Sequence, residues 1–142
     1  MQGSGAGKKM GAGRDAGGAA RRRHWMSGRR AESIAVLWLR LQGYRILARN
    51  WRAAGGEVDI LAFRSRTLVA VEVKQRADRA GLDQAAEAVA QGQRRRIARA
   101  ALAYLQRNPA MAGTVAPRLR FDLILVRRGW PRHLRDAWRP DM

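Results

Sequence analysis

Apolar positions change their spacing along this chain, and the changes mark its elements. Ile34, Leu37, Trp38 and Leu41 recur at i, i+3, i+4 and i+7. That spacing predicts a helix with a buried stripe from about Arg29 to Gln42, stopped by Gly43. Val36 and Leu39 widen the apolar surface and leave Arg29, Ser33 and Arg40 as a polar strip, so the helix should be covered on more than one side. Three strand-like runs follow, Tyr44 to Trp51, Glu57 to Phe63 and Leu68 to Lys74. The short polar loop Arg64-Ser65-Arg66-Thr67 makes the last two antiparallel neighbours. From about Gln84 to Arg107 the helical period returns. Ala86, Val89, Ala90, Gln93, Ile97, Ala100, Ala101 and Tyr104 form its stripe, and Asn108-Pro109 ends it. Leu119 to Val126 reads as a fourth strand returning parallel beside the third, because a helix of that length suits a crossover. His133 to Trp138 reads as a short edge strand. The order predicts an α/β fold, a mixed β-sheet flanked by helices.

Composition adds a partner class. Lys and Arg total 29 against 11 Asp and Glu, a formal charge of +18. Such a surplus favours a polyanion, most simply nucleic acid or an acidic membrane surface. Residues 1–27 are rich in Gly, Ala and Arg without hydrophobic periodicity and are expected to be a disordered basic tail, with the folded domain over residues 28–142. Met26, followed by Ser27-Gly28, is a candidate alternative start. Absence of cysteine removes disulfides, thiolate catalysis and zinc fingers, and fits a reducing cytoplasm. No apolar run approaches the roughly 20 residues of a membrane span, and none follows Arg21-Arg22-Arg23 as an export signal would require. A cytoplasmic protein without membrane contact is expected.

The third strand carries the chemistry. With a period of two, Val69, Val71 and Val73 face one way, and Ala70, Glu72 and Lys74 the other. If the hairpin turn is centred between Ser65 and Arg66, Asp59 lies opposite Glu72 and Glu57 opposite Lys74. Directly paired residues share a face, with Cβ atoms about 4.5–5.5 Å apart. Two such carboxylates can share Mg²⁺, or Mn²⁺, and the Val73 carbonyl is a candidate third ligand. A slip of one residue would send the carboxylates to opposite faces. Phosphodiester hydrolysis needs an activated water and neutralisation of charge developing on phosphorus, which a carboxylate-held metal and a neighbouring Lys can supply. The same residues also read as an ordinary surface charge group. Glu32 adds weight. It falls on the Val36 and Leu39 side of the first helix, where a carboxylate is costly unless paired, although an acid in a first turn also suits the helix dipole.

In order and spacing, several segments resemble the YraN-like, or UPF0102, family. They are Gly28-Arg29-Arg30-Ala31-Glu32, Asn50-Trp51, Gly56-Glu57-Val58-Asp59-Ile60-Leu61, Val71-Glu72-Val73-Lys74-Gln75-Arg76, Arg96-Ile97 with Ala100-Ala101 and Tyr104-Leu105, and Arg120-Phe121-Asp122. The resemblance covers about Gly28 to Trp138. It implies a restriction-endonuclease-like fold with an α-β-β-β-α-β core, similar to archaeal Holliday-junction resolvases. It also implies that Glu32, Asp59, Glu72 and Lys74 occupy the four PD-(D/E)xK positions. One departure is Gln93, where the family usually carries Lys.

A Mg²⁺-dependent endonuclease acting on structured or branched DNA is therefore the expected function. Arg76, Arg94, Arg95, Arg96 and Arg99 are candidate phosphate contacts. The alternatives are a non-cutting DNA- or RNA-binding protein of the same fold and a ribosome-associated basic protein. The resemblance to resolvases, which act on two strands and tend to be dimers, makes a homodimer a candidate assembly, for which the sequence marks no interface. Asp122 is expected to salt-bridge to an Arg, and His24 and His133 are assigned no chemistry. Trp38 is expected in the core; Trp51, Trp130 and Trp138 are candidates for packing or for stacking on bases.

Overall fold

In the computed structural model, residues 15–75, 81–111, 113 and 115–140 are described. Helix α1 (Asp15–Leu41) leads into a hairpin series β1 (Arg45–Ala53), β2 (Gly56–Arg64) and β3 (Thr67–Gln75). Helices α2 (Leu82–Glu87) and α3 (Gln91–Arg107) follow, then β4 (Arg118–Arg127) and β5 (Trp130–Trp138). The sheet has five strands in the order β1-β2-β3-β4-β5. Only β3 and β4 run parallel, and β5 closes a hairpin with β4. This is the mixed α/β arrangement expected, helices on both faces included. No helix among the described residues is long and apolar enough to cross a membrane.

Both sheet faces are cores. Leu61, Leu68, Ala70, Phe121 and Leu123 pack against α2 and α3, while Ile60, Val69, Val71, Ile124 and Val126 pack against α1. Burial of both faces makes β3 a nearly continuous apolar run, and Glu72 at its end lies within the packed molecule.

Three expectations need correction. Helix α1 begins at Asp15, so residues 15–27, read as part of a disordered tail, are helical. Ala and Arg are strong helix formers, which the loop-like composition obscured; residues 1–14 lie outside the described residues. The buried stripe of α1 is Ala31, Glu32, Ala35, Val36 and Leu39, whereas Leu37 and Leu41 are exposed. Small alanines let the helix seat closely, and a search for large apolar residues misses them. The single helix expected from Gln84 to Arg107 is two: Ala90 is extended (ψ 148°) and Val89 turns into the core. The Ala86 carbonyl at the end of α2 accepts the Val89 N–H at 3.1 Å and also Arg94 Nη2 at 2.9 Å.

Candidate metal and phosphate site

Strands β2 and β3 pair in the expected register, from Arg64↔Thr67 to Ile60↔Val71. Beyond that point the ladder opens. The Val73 N–H donates to Asp59 Oδ2 at 2.9 Å, so a side chain takes the place of a strand carbonyl. Asp59 is thereby fixed at the rim of the sheet beside Glu72. Glu72 is buried, and its Oε1 receives Gln93 Nε2 at 2.8 Å and lies 3.2 Å from Lys74 Nζ. Lys74 and Glu72 come from alternate positions of one strand, and Gln93 reaches them from the first turn of α3.

Burial pushes the Asp59 carboxyl up to about 7, reinforced by the neighbouring charge of Glu72. The Val73 N–H opposes this, while a hydrogen bond with Glu72 and the charge of Glu32 add to it. Two acids are thus held together against their own repulsion, a condition that a divalent cation relieves. Among the described residues no set of three or more His, Cys, Asp or Glu converges as a metal cage. Asp59 and Glu72 are the pair a cation would meet, and Mg²⁺ characteristically uses one or two carboxylates and keeps its waters. A cavity of about 280 Å³ over Asp59, Glu72, Gln93 and Arg96 has room for such a hydrated ion, at roughly 30 Å³ per water.

Glu32 approaches from the α1 side. Its Oε1 accepts from Arg49 Nε at 3.1 Å and Asn50 Nδ2 at 3.0 Å. Asn50 sits between the paired positions Arg49↔Ile60 and Trp51↔Val58, with a positive φ of 50° that Asn tolerates well. Glu32 and Asp59 line a second cavity with Arg29 and Arg52. Asp59 therefore stands between Glu32 on one side and Glu72 on the other.

The basic candidates separate. Arg96 is exposed and lines the acid cavity. Arg95 and Arg99 are exposed on α3. Arg94 turns inward, bonding Ala86 and lying over the Trp138 ring at 5.6 Å, so it is spent on packing α3 to α2 and β5. Arg76 lies outside the described residues. Gln93, Arg49 and Asn50 join the site without having been assigned chemistry; their signal was position, Gln93 at the family's Lys and Asn50 within a matching segment.

On the α1 face, Asp122 is fully buried in the expected salt bridge, with Arg120 Nε and Nη2 both at 2.8 Å. His133 Nε2 lies 2.7 Å from the same carboxylate, the Asp136 N–H donates to it at 3.0 Å, and Trp38 Nε1 donates to His133 Nδ1 at 3.3 Å. Burial alone would raise the Asp122 carboxyl; the hydrogen bonds from His133, Arg120 and Asp136 outweigh it and hold the group below its ordinary range. Trp51 donates to the Ala100 carbonyl and Trp138 stacks on Phe121, so both are packing residues, while Trp130 is exposed.

Compared with known proteins, the chain matches over residues 31–126 the family described as "Uncharacterised protein family UPF0102". A UPF0102 protein of Parvibaculum lavamentivorans is 51% identical over 114 residues, 80% of this chain and 81% of that protein. One from Methylorubrum extorquens is 48% identical over 122 residues, 85% and 91% of the two chains. Another, from Paramagnetospirillum magneticum, is 48% identical over 120 residues, 80% of this chain and 88% of that protein.

Proposed function

We propose that this chain, which belongs to the UPF0102 family, is a Mg²⁺-dependent endonuclease that hydrolyses phosphodiester bonds in structured or branched DNA. One observation carries the reading: two rim carboxylates, Asp59 and Glu72, are held together beside Lys74 with the Asp59 carboxyl raised to about 7. An acid pair under that tension is poised to exchange a proton for a cation.

Asp59 and Glu72, with the Val73 carbonyl, would hold Mg²⁺, which supplies Lewis acidity to the phosphate and to the attacking water. Hydrolysis joins the water oxygen to phosphorus as the bond to the leaving sugar oxygen breaks, and negative charge builds on the phosphoryl oxygens. Lys74 supplies positive charge there, steadied by Glu72 at 3.2 Å. Gln93 holds the other side of Glu72 Oε1 and fixes that carboxylate's rotamer. Glu32, clasped by Arg49 and Asn50, acts through its charge on Asp59. Arg95, Arg96 and Arg99 are the phosphate contacts on the exposed face of α3.

A second reading, a DNA- or RNA-binding protein of this fold that does not cut, is favoured by Glu72 Oε1, which Lys74 and Gln93 already engage together. Cleavage decides between them. Junction, flap and linear DNA are incubated with Mg²⁺ or Mn²⁺ and wild type, Asp59→Ala or Lys74→Ala. The nuclease reading expects cutting by wild type and a loss of about 10²–10³-fold in rate for Lys74→Ala, the scale of removing one transition-state charge partner. Cutting unchanged by both substitutions sinks the assignment, and tight binding without cutting supports the binding protein.

A further inference from the structure

The cavities around the acids are parts of one groove. Glu57 lines all of them, and Asp59 is shared by the cavity with Glu32 and the cavity with Glu72. Past the acids the groove widens into a trough of about 650 Å³. Arg52 and Ala53 at the end of β1 form one wall, the Gly55-Gly56 backbone the floor, and Arg96 on α3 the other wall.

Two features give this trough a defined shape. Ala54 and Gly55 both have positive φ, 54° and 72°, so the β1–β2 turn is tight and no bulky side chain covers its glycine. Gly56 touches α3 so closely that a Cβ there would run into the Arg96 carbonyl. Glycine at that position lets the helix approach the hairpin, and the approach delivers Arg96 to both the trough and the acid cavity. The Arg96 side chain has no hydrogen bond or ion pair among the described residues. On the hairpin side of the trough Arg52 Nε is 3.4 Å from Oε1 of Glu57, its partner in the β1–β2 ladder, an exposed pair of little net strength.

We infer that this trough is a phosphate subsite, which takes the phosphodiester next to the scissile one between Arg52 and Arg96. The inference rests on the nuclease reading for the acids and adds a binding site beside them. Guanidinium groups grip phosphate bidentately, and a floor of glycine backbone lets a sugar-phosphate strand lie close. Glu57 marks the border between the two parts. Its carboxylate restrains Arg52 in the free protein and gives it up when phosphate arrives.

The test reads binding, not cutting. Anisotropy of fluorescein-labelled flap DNA is followed with Ca²⁺ in place of Mg²⁺ across a KCl series. The proteins are wild type, Arg52→Gln, Arg96→Gln, the double variant, Glu57→Gln, and Arg135→Gln on β5 at the opposite sheet edge as control. Each trough substitution is expected to weaken binding about tenfold and to flatten the slope of log affinity against log salt by about 0.7–0.9. The double variant should show both losses, Glu57→Gln should bind more tightly than wild type, and Arg135→Gln should keep the wild-type slope. A double variant with the wild-type slope, or one no weaker than Arg135→Gln, overturns the subsite. Thermal midpoints confirm that these exposed substitutions leave the fold intact. Failure of wild type to cut DNA in Mg²⁺ would count against the nuclease reading alone, because the slopes judge the subsite whether or not the DNA is cut.

Discussion

Asp59 is the residue at which burial and neighbouring charge work against ionisation most plainly. Its carboxyl titrates near 7 in the folded chain against 3.8 as the reference value. Between those values the folded state keeps a proton that the unfolded state has lost. Stability therefore falls as pH rises through that window, and the loss is complete above about 7. Asp59→Asn removes the charge and should raise the thermal midpoint of the metal-free protein at pH 8. Each kcal/mol recovered is worth roughly 2–4 °C. At about pH 3, below both values, the gain should vanish, because Asp59 is then largely protonated in the folded and the unfolded chain alike. Thermal scans with a chelator at both pH values check this, and an Asn variant less stable at pH 8 would refute the strained pair. Asp59, Glu72 and Lys74 were legible in the sequence because a period of two assigns faces and a short turn assigns register. Gln93, Asn50 and Arg49 were not, because a neutral amide on a helical stripe or a basic residue in a strand carries no chemical signature until its partner is known.

Elements were legible where turn chemistry and periodicity agreed. The β2–β3 turn falls at Ser65 and Arg66, with φ of 50° and 57°, and the expected register follows from it. The β1–β2 and β4–β5 turns have the same two-residue, doubly left-handed form, at Ala54-Gly55 and Arg128-Gly129. Ala54 is exposed and has no side chain suited to positive φ. Ala54→Asn creates the preferred Asn-Gly pair and should stabilise by about 1 kcal/mol, raising the midpoint by a few degrees; Ala54→Val should lower it. The break between α2 and α3 was illegible, since Ala88 and Ala90 are good helix formers and packing of Val89 overrides propensity. Between elements, Trp38 of α1, Asp122 of β4 and His133 of β5 are tied into one polar chain that reaches Tyr44 through Arg120. Asp122→Ala removes a fully buried carboxylate from the half-buried Arg120 and from the Asp136 N–H and should cost roughly 1.5–3 kcal/mol, read by urea unfolding at pH 7. Because the Asp122 pKa is lowered in the folded state, its contribution is present above the ordinary carboxylate range and fades as pH falls below it. The cost of Asp122→Ala should shrink accordingly in acid.

At the scale of the whole molecule, a chain of +18 formal charge holds a groove whose centre is acidic. Net charge suggests a polyanionic partner but does not locate a surface for it. Arg94, Arg95 and Arg96 are consecutive, yet helical geometry turns Arg94 into the fold, leaves Arg95 in solvent and gives Arg96 to the groove. The two fields act over different distances. On the proposed reading, surplus arginine would draw DNA from afar, weakening with salt over a Debye length of about 8 Å at physiological ionic strength. Asp59 and Glu72 repel a phosphate that comes within contact, unless a cation lies between them. Metal-free Asp59→Asn should therefore bind flap DNA more tightly than metal-free wild type. Added Mg²⁺ should tighten the wild type and leave the variant nearly unchanged, so that their order closes or reverses. Filter binding at constant ionic strength, with chelator and then with Mg²⁺, separates this local effect from general screening. Equal affinities of the two proteins under both conditions would place the DNA elsewhere on the basic surface, away from the acids.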